Sequence, residues 1–423
     1  MTQPDTAPAA AEDAHPAPSA GERFGMALQL VLLPAFSLYV VLCVRVHGGA
    51  LQWPALAFWR DLAWPNATTV GFYAGWIALQ LALAAWIPGR VVPGPPLPDG
   101  RHLEYRLNGF SAFVITLVLA VAAVATGLVP ATLLYDELVP LAVTVNLGAM
   151  ALAIWIYATG RRQATPDERD RGFIEAFYLG AAKNPRSGPI DWKYWMQGKP
   201  GLSLWVLLAW SCAAAQHAGH GEITASMGIV CAGVTAYVLD YFWHERTILS
   251  AWDVKHEPMG WMLTWGSCAM VPLVYATPAP YLVAHPVELP AWASVLVALT
   301  SAAGLVIFRQ ANNQKHRFRL ERDVTIWGAP ARFVETPTGT KLLCSGWWGL
   351  ARHCNYLGDW LMALSWSAAT GFGHALPWIY PVFFAGLLIH RERRDHAHCA
   401  SRYGAAWDEY CRRVKWRIVP GLY

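Results

Sequence analysis

Apolar residues along this chain gather into long runs separated by short polar segments, and the runs keep one recurring length. A helix that crosses a hydrocarbon core of about 30 Å needs about 20 mostly apolar residues, and the runs match that requirement. They occupy residues 25–44, 68–88, 109–128, 138–159, 201–217, 223–243, 259–283, 290–308, 356–373 and 375–390. The pattern therefore predicts an all-α integral membrane protein of about ten transmembrane helices.

The basic residues test this topology, because cytoplasmic loops of membrane proteins are enriched in Lys and Arg. With ten spans and both termini cytoplasmic, only Arg45 and Arg60 of the 32 Lys and Arg fall on the outer side. The others lie in the tails or in inner loops, notably 160–200, 309–341 and 391–417. Buried helices of a large soluble protein have no reason to sort charge in this way. Composition agrees: 55% of residues are hydrophobic and only 14% charged, and 23 Trp with 16 Tyr suit a chain with two lipid–water interfaces.

A net charge of +4, spread in blocks between apolar runs, excludes nucleic acid as the expected partner. Membrane lipid and a small anion remain. Eight cysteines without a CxxC pair predict neither a disulfide framework nor a zinc site. Residues 1–22 lack aromatic residues and read as a disordered cytoplasmic tail, with no cleavable leader. The expected organisation is then a transmembrane domain over 23–423, with N-terminal helices over 25–220 and a catalytic, cofactor-binding half over 223–423. Ala-, Trp- and Gly-rich composition points to a bacterial inner membrane.

Ionisable groups at membrane depth are costly and usually face a protein-lined cavity. Tyr237, Asp240 and His244 follow one another at i, i+3 and i+7, which puts a phenol, a carboxylate and an imidazole on one helical stripe beside Glu245. A proton donor fits there. The alternative is that Asp240 and Glu245 pair with Arg246 or Lys255 and anchor the helix. The following segment, Trp252 to Glu257, carries alternating charges suited to lining the same cavity.

A second group of segments lies in the last third. Arg309, Asn312, Lys315 and Arg319 form a cationic stripe at helical spacing, suited to phosphate or, alternatively, to lipid headgroups. Ser345 to Asp359 mixes aromatic planes, small residues and hydrogen-bonding groups, which is pocket composition. Arg391, Asp395, Cys399 and Arg402 share one face of a continuing helix, with Tyr403 and Tyr410 close by. Together these segments supply the parts of a nucleotide pocket facing the cytoplasm. Neither G-x-G-x-x-G nor a P-loop occurs, so side chains of a helical bundle must hold the nucleotide. His396 with His398, and His217 with His220, lack a third ligand at recognisable spacing, so no metal is expected.

Leu342-Leu343-Cys344-Ser345-Gly346-Trp347-Trp348-Gly349, followed by Arg352-His353-Cys354-Asn355-Tyr356-Leu357-Gly358-Asp359, closely resembles the signature of the sterol reductase family. That family includes the delta-14 and delta-7 sterol reductases and the reductase-like region of the lamin B receptor. A second block, His390 to Asp395 with Cys399, Arg402-Tyr403-Gly404, Trp407, Tyr410 and the ending Ile418 to Tyr423, is similar to the same family. So are Leu133 to Asp136, Asn184 to Arg186, Asp191 to Lys193, Tyr237 to Asp240 and Asn312 to Arg319. The resemblance covers about residues 25–423.

It implies NADPH drawn from the cytosol and a sterol entering from the bilayer. Lys315, Arg319, Leu343, Trp348, Asn355, Tyr356, Arg391, Asp395, Cys399, Arg402, Tyr403 and Tyr410 match the family's cofactor positions. Arg402 stands where many relatives have Lys, and Ser267 replaces a frequent acid. The implied reaction reduces a sterol ring double bond, here read as the 14(15) bond with delta-7 reduction as the alternative. Protonation precedes hydride transfer, with Tyr237 as proton donor and Asp240 and His244 polarising or reprotonating it. Two rivals stand beside this reading. The last hundred residues are also similar to the isoprenylcysteine carboxyl methyltransferases, which use S-adenosylmethionine, and a silent sterol-binding protein shares the framework.

Overall fold

The first helix starts where its ends can be capped. In the computed structural model, which describes residues 18–97, 100–321 and 323–423, Ser19 accepts from the Glu22 amide while Glu22 accepts from the Ser19 amide. This reciprocal pair satisfies two otherwise orphaned N–H groups. Helix α1 (Ala20–Arg45) therefore takes in residues 20–22, which composition assigned to the tail; residues 1–17 lie outside the described residues.

Each expected run coincides with helix. The elements are α1, α2 (Ala67–Trp86), α3 (Gly109–Ala125), α4 (Leu138–Gln163), α5 (Lys199–His220) and α6 (Ala225–Trp243). They continue with α7 (Trp261–Ala284), α8 (Ala291–Leu320), α9 (Cys354–Ala368), α10 (Ile379–Tyr403) and the short α11 (Ala405–Arg413). Six of them, α1, α2, α4, α6, α7 and α8, are long and apolar enough to cross a membrane. The protein is a mostly helical, multi-pass integral membrane protein. Its large exposed side chains fit that solvent, with Val118, Val121, Val295 and Leu299 all turned outward.

Two boundaries differ from the apolar pattern for identifiable reasons. The ninth run was expected to reach residue 373, but α9 stops at Ala368 and Gly371 follows at φ +70°, a left-handed conformation that ends helices. The seventh run is not a regular helix. Between Gly266 and Tyr275 it winds as a π-helix around Pro272, whose missing N–H removes an ordinary helical bond.

The chain forms two compact units. Among the described residues, one comprises residues 18–289 together with Thr370–Pro377; the other comprises Pro290–Ala369 and Trp378–Tyr423. α5 packs on both α6 and α7, so the three helices belong to the first unit.

Within the first unit, polar side chains bond across the bundle. Asn146 on α4 donates to Ser37 on α1 and accepts from Trp265 on α7, at 3.1 and 2.8 Å. Gln216 on α5 donates to the Leu282 carbonyl at 2.7 Å. Such bonds hold helices together where lipid offers no alternative partner.

A deeply buried charge pair is also here, and it corrects an expectation. Glu245 pairs neither with Arg246 nor with Lys255: its Oε1 lies 3.5 Å from Lys199 Nζ, and its Oε2 accepts from the Gly109 amide at 2.7 Å. Lys199 donates in turn to Asn108 Oδ1 at 2.6 Å, and Asn108 donates to the Ile87 carbonyl at 2.9 Å. The reason is steric as well as electrostatic. Gly109 has no side chain, so the carboxylate can approach to where a Cβ would meet it at 2.7 Å. One buried node thus ties the ends of α2, α3, α5 and α6. Removing one partner of a buried pair leaves the other charge uncompensated, so Glu245→Gln is expected to cost about 3 kcal/mol. The measurement is the melting midpoint in detergent.

Candidate functional site

In the second unit, α8 and α9 approach closely because two glycines face each other. A Cβ on Gly358 would meet the Phe308 amide nitrogen at 2.5 Å and the Gly304 carbonyl at 2.6 Å, and one on Gly304 would meet the Gly358 carbonyl at 2.7 Å. This contact aligns the cationic end of α8 with the segment that precedes α9.

That segment is bonded to α8 residue by residue. Trp348 donates its indole N–H to the Ala311 carbonyl at 2.7 Å, and the Trp347 amide and indole donate to Gln314 and Gln310 at 2.9 and 3.0 Å. The bonds hold the Trp348 ring under Lys315, whose ammonium lies 4.1 Å from the ring centre. A cation over an indole face is attracted by the ring quadrupole and stays oriented. Leu343 packs beneath Trp348 in a buried cluster with Val324 and Ile326. Asn355 Nδ2 lies 3.5 Å from Asn312 Oδ1, while Asn355 Oδ1 is buried and has no hydrogen-bond partner among the described residues. A buried carbonyl oxygen left in this condition is costly unless a ligand completes it.

α10 brings the acid. His353 Nε2 lies 3.4 Å from Asp395 Oδ2, and the His353 ring stacks on Tyr356 with centroids 4.7 Å apart. Burial opposes ionisation of Asp395, but the His353 hydrogen bond and the charges of His353, Lys315 and His398 prevail and hold its carboxyl at about 2. Asp395 is therefore a fixed anion. Cys399, one turn on, has its sulfur 3.9 Å from the same carboxylate, and burial first of all pushes its thiol up to about 12. It stays a neutral thiol rather than a nucleophile. Arg402 lies over the Tyr403 ring at 5.6 Å. Arg319 is exposed at the end of α8, Arg391 is half-buried, and Tyr410 is buried against Trp407, Val334 and Cys344.

Eleven of the twelve expected cofactor residues are thus polar, aromatic or cationic groups of one unit, and Leu343 is the packing beneath them. Two further residues belong with them. His353 orients the acid and Gln314 holds the Trp347 amide beside Trp348, and His353 stands in the motif without an assigned role. Several cations, an anchored acid, stacked rings and an unfilled acceptor fit a phosphate-bearing dinucleotide. His396 is engaged otherwise, accepting from the Trp407 indole at 3.1 Å, and His220 bonds the Val283 carbonyl at 3.0 Å.

The stripe on α6 belongs to the other unit. Tyr237 packs against Trp205 and Tyr241, with centroids 6.2 and 6.5 Å away. His244 sits just past the last turn in a non-helical conformation, and its Nδ1 returns to Asp240 Oδ1 at 3.2 Å. The 252–257 segment, which opens with a helical turn over Trp252–Lys255, wraps Lys193, which donates to the Val254 and Glu257 carbonyls at 2.8 and 2.9 Å. Burial pushes that amine down to about 8. Ser267, in the π-helical segment, donates to the Met196 carbonyl.

Comparison with known proteins covers nearly the whole chain. Residues 22–423 match the model of the Ergosterol biosynthesis ERG4/ERG24 family. A Delta(14)-sterol reductase of Methylotuvimicrobium alcaliphilum is 40% identical over 95% of this chain and 96% of its own length. One from Dictyostelium discoideum is 35% identical over 96% of this chain and 92% of its own, and the Mus musculus Delta(14)-sterol reductase TM7SF2 is 37% identical over 95% and 97%. A methyltransferase-like tail would leave the first three hundred matched residues unexplained. The chain belongs to the Ergosterol biosynthesis ERG4/ERG24 family.

Proposed function

We propose that this protein reduces the 14(15) double bond of a sterol-biosynthesis intermediate, with NADPH as the hydride source. It is an oxidoreductase acting on a sterol ring carbon–carbon double bond. The observation that carries the choice of bond is the shared name of its relatives, Delta(14)-sterol reductase, at 35 to 40% identity over almost the full length. In the cell we place it in a bacterial inner membrane as a ten-span bundle with both termini cytoplasmic. The sorting of Lys and Arg supports that orientation.

An isolated alkene has no carbonyl to accept electrons, so proton transfer must create carbocation character before hydride arrives. NADPH, when bound, supplies that hydride. Lys315, Arg319 and Arg402 are proposed to hold its phosphates, Trp348, Tyr356 and Tyr403 to stack against its rings, and Asn355 and Asp395 to accept from its amide or ribose hydroxyls. Arg391, Leu343, Cys399 and Tyr410 complete and shape that site. Tyr237 is proposed to deliver the proton, with the Asp240–His244 pair polarising the phenol and returning a proton to it.

The test is incubation of the purified protein with NADPH and sterols unsaturated at 7(8), 14(15) and 24(28), followed by mass analysis. The 14(15) sterol is expected to gain two hydrogens. Reduction of the 7(8) sterol alone would replace the assignment with delta-7 reduction, and binding without turnover of any would favour the silent relative.

A further inference from the structure

The block around Asp395 contains one acid that the proposed cofactor site does not use. Glu392 is fully buried, one residue from Arg391 and one turn before Asp395. Its carboxylate takes both contacts from Arg417 Nη1, at 3.2 and 2.9 Å, and a third from the Tyr423 hydroxyl at 3.3 Å. Such a carboxylate is committed, and the question is what its commitment holds.

Its partner Arg417 belongs to a folded-back segment. The Tyr423 carbonyl accepts three successive amides, Arg417, Ile418 and Val419, at 2.8, 2.9 and 3.1 Å, and the Arg417 guanidinium lies 5.8 Å from the Tyr423 ring centre. This turn presents two carbonyls to the pocket segment: Arg352 donates its amide to Trp416 at 2.9 Å and His353 donates its amide to Arg417 at 2.8 Å. His353 is the residue that fixes Asp395. The backbone of the 351–353 segment is thus held from one side by the 416–417 segment, and its imidazole is aimed from there at α10. Glu392 on the same helix as Asp395 closes the loop.

We infer that the Glu392–Arg417–Tyr423 cluster is a positioning brace for the cofactor site, setting the register between the His353 backbone and Asp395 on α10. The inference rests on the NADPH reading above. It gives the ending Ile418 to Tyr423 a role that neither charge nor hydropathy assigns it. A displacement of about 1 Å in a supporting contact is enough to spoil binding geometry at a distance.

The test uses the full chain in detergent and reads the Kd for NADPH, the KM for NADPH against kcat, and the melting midpoint. Glu392→Gln and Arg417→Gln are expected to raise Kd and KM about tenfold with kcat within about twofold of wild type. Arg417→Lys keeps the charge and is expected to stay within about threefold, as is Tyr423→Phe, which removes one hydrogen bond and leaves the buried pair intact. Should Glu392→Gln fail to fold, the ordering of Arg417→Gln above Arg417→Lys carries the test. A lowered midpoint with unchanged Kd in the folded protein makes the cluster merely structural and overturns the brace. Wild-type protein that takes up no NADPH overturns instead the cofactor reading beneath it.

Discussion

Neutralising Lys315, Arg319 and Arg402 together, as Lys315→Met, Arg319→Gln and Arg402→Gln, is expected to raise the Kd for NADPH by about a thousandfold. The magnitude follows from the surroundings. A charge-assisted hydrogen bond contributes about 1.5 to 3 kcal/mol when dry. These cations are only partly withdrawn from water, Arg319 being exposed and the other two half-buried, so about 1.3 kcal/mol each is the appropriate scale. Three such losses approach 4 kcal/mol, and every 1.4 kcal/mol is tenfold. Single substitutions are expected to cost about tenfold, with the sum blurred because neighbours in one field are not additive.

Lys315 differs from the two guanidinium groups in one respect. Its stacking on Trp348 orients the ammonium before any ligand arrives. Lys315→Met therefore removes a prepared contact, whereas Arg402→Lys keeps the charge and loses only the planar fork. The ratio of NADPH to NADH affinity reads the phosphate contribution directly. The preference for NADPH is expected to vanish in the triple variant and to weaken with salt in the wild type. Unchanged NADPH uptake by the triple variant would refute the cationic site.

The helices were legible because lipid imposes a simple rule: each span must be apolar and about 20 residues long, and six helices of the structure meet it. The cationic stripe of α8 was legible for a related reason, since spacing on one helix is fixed by helix geometry. What spacing cannot supply is the partner on another element. Glu245 has Arg246 beside it and Lys255 ten residues on, yet it bonds Lys199 across the bundle. Only the absent side chain of Gly109 makes room for that choice.

The acid on α10 shows the same limit. Arg391, Asp395 and Arg402 follow from one helical face, but nothing in that face reveals that His353, 42 residues earlier, pairs with Asp395 and helps keep it ionised. Tyr410 and Cys399 were picked out with the polar residues, and the fold buries the first among Trp407, Val334 and Cys344 and raises the thiol of the second. Burial is a property of the assembled unit, so residue type alone could not separate groups that bond a ligand from groups that support one.

The proposed proton donor carries the other large effect. Tyr237→Phe is expected to lower kcat by about two to three decades, the contribution a well-placed general acid makes, while Kd for NADPH stays within about twofold. Phenylalanine keeps the ring that packs on Trp205 and Tyr241, so the substitution removes a hydroxyl and little else. A loss confined to kcat would mean that an interaction made only in the transition state has gone. Asp240→Asn should fall between wild type and Tyr237→Phe, because it unseats His244, held 3.2 Å away, without deleting the acid itself. Solvent deuterium supplies the independent readout: if Tyr237 moves the proton in the slow step, wild type slows in heavy water and the product carries one solvent-derived hydrogen. Wild-type turnover by Tyr237→Phe, with the solvent effect intact, would assign proton delivery to another group.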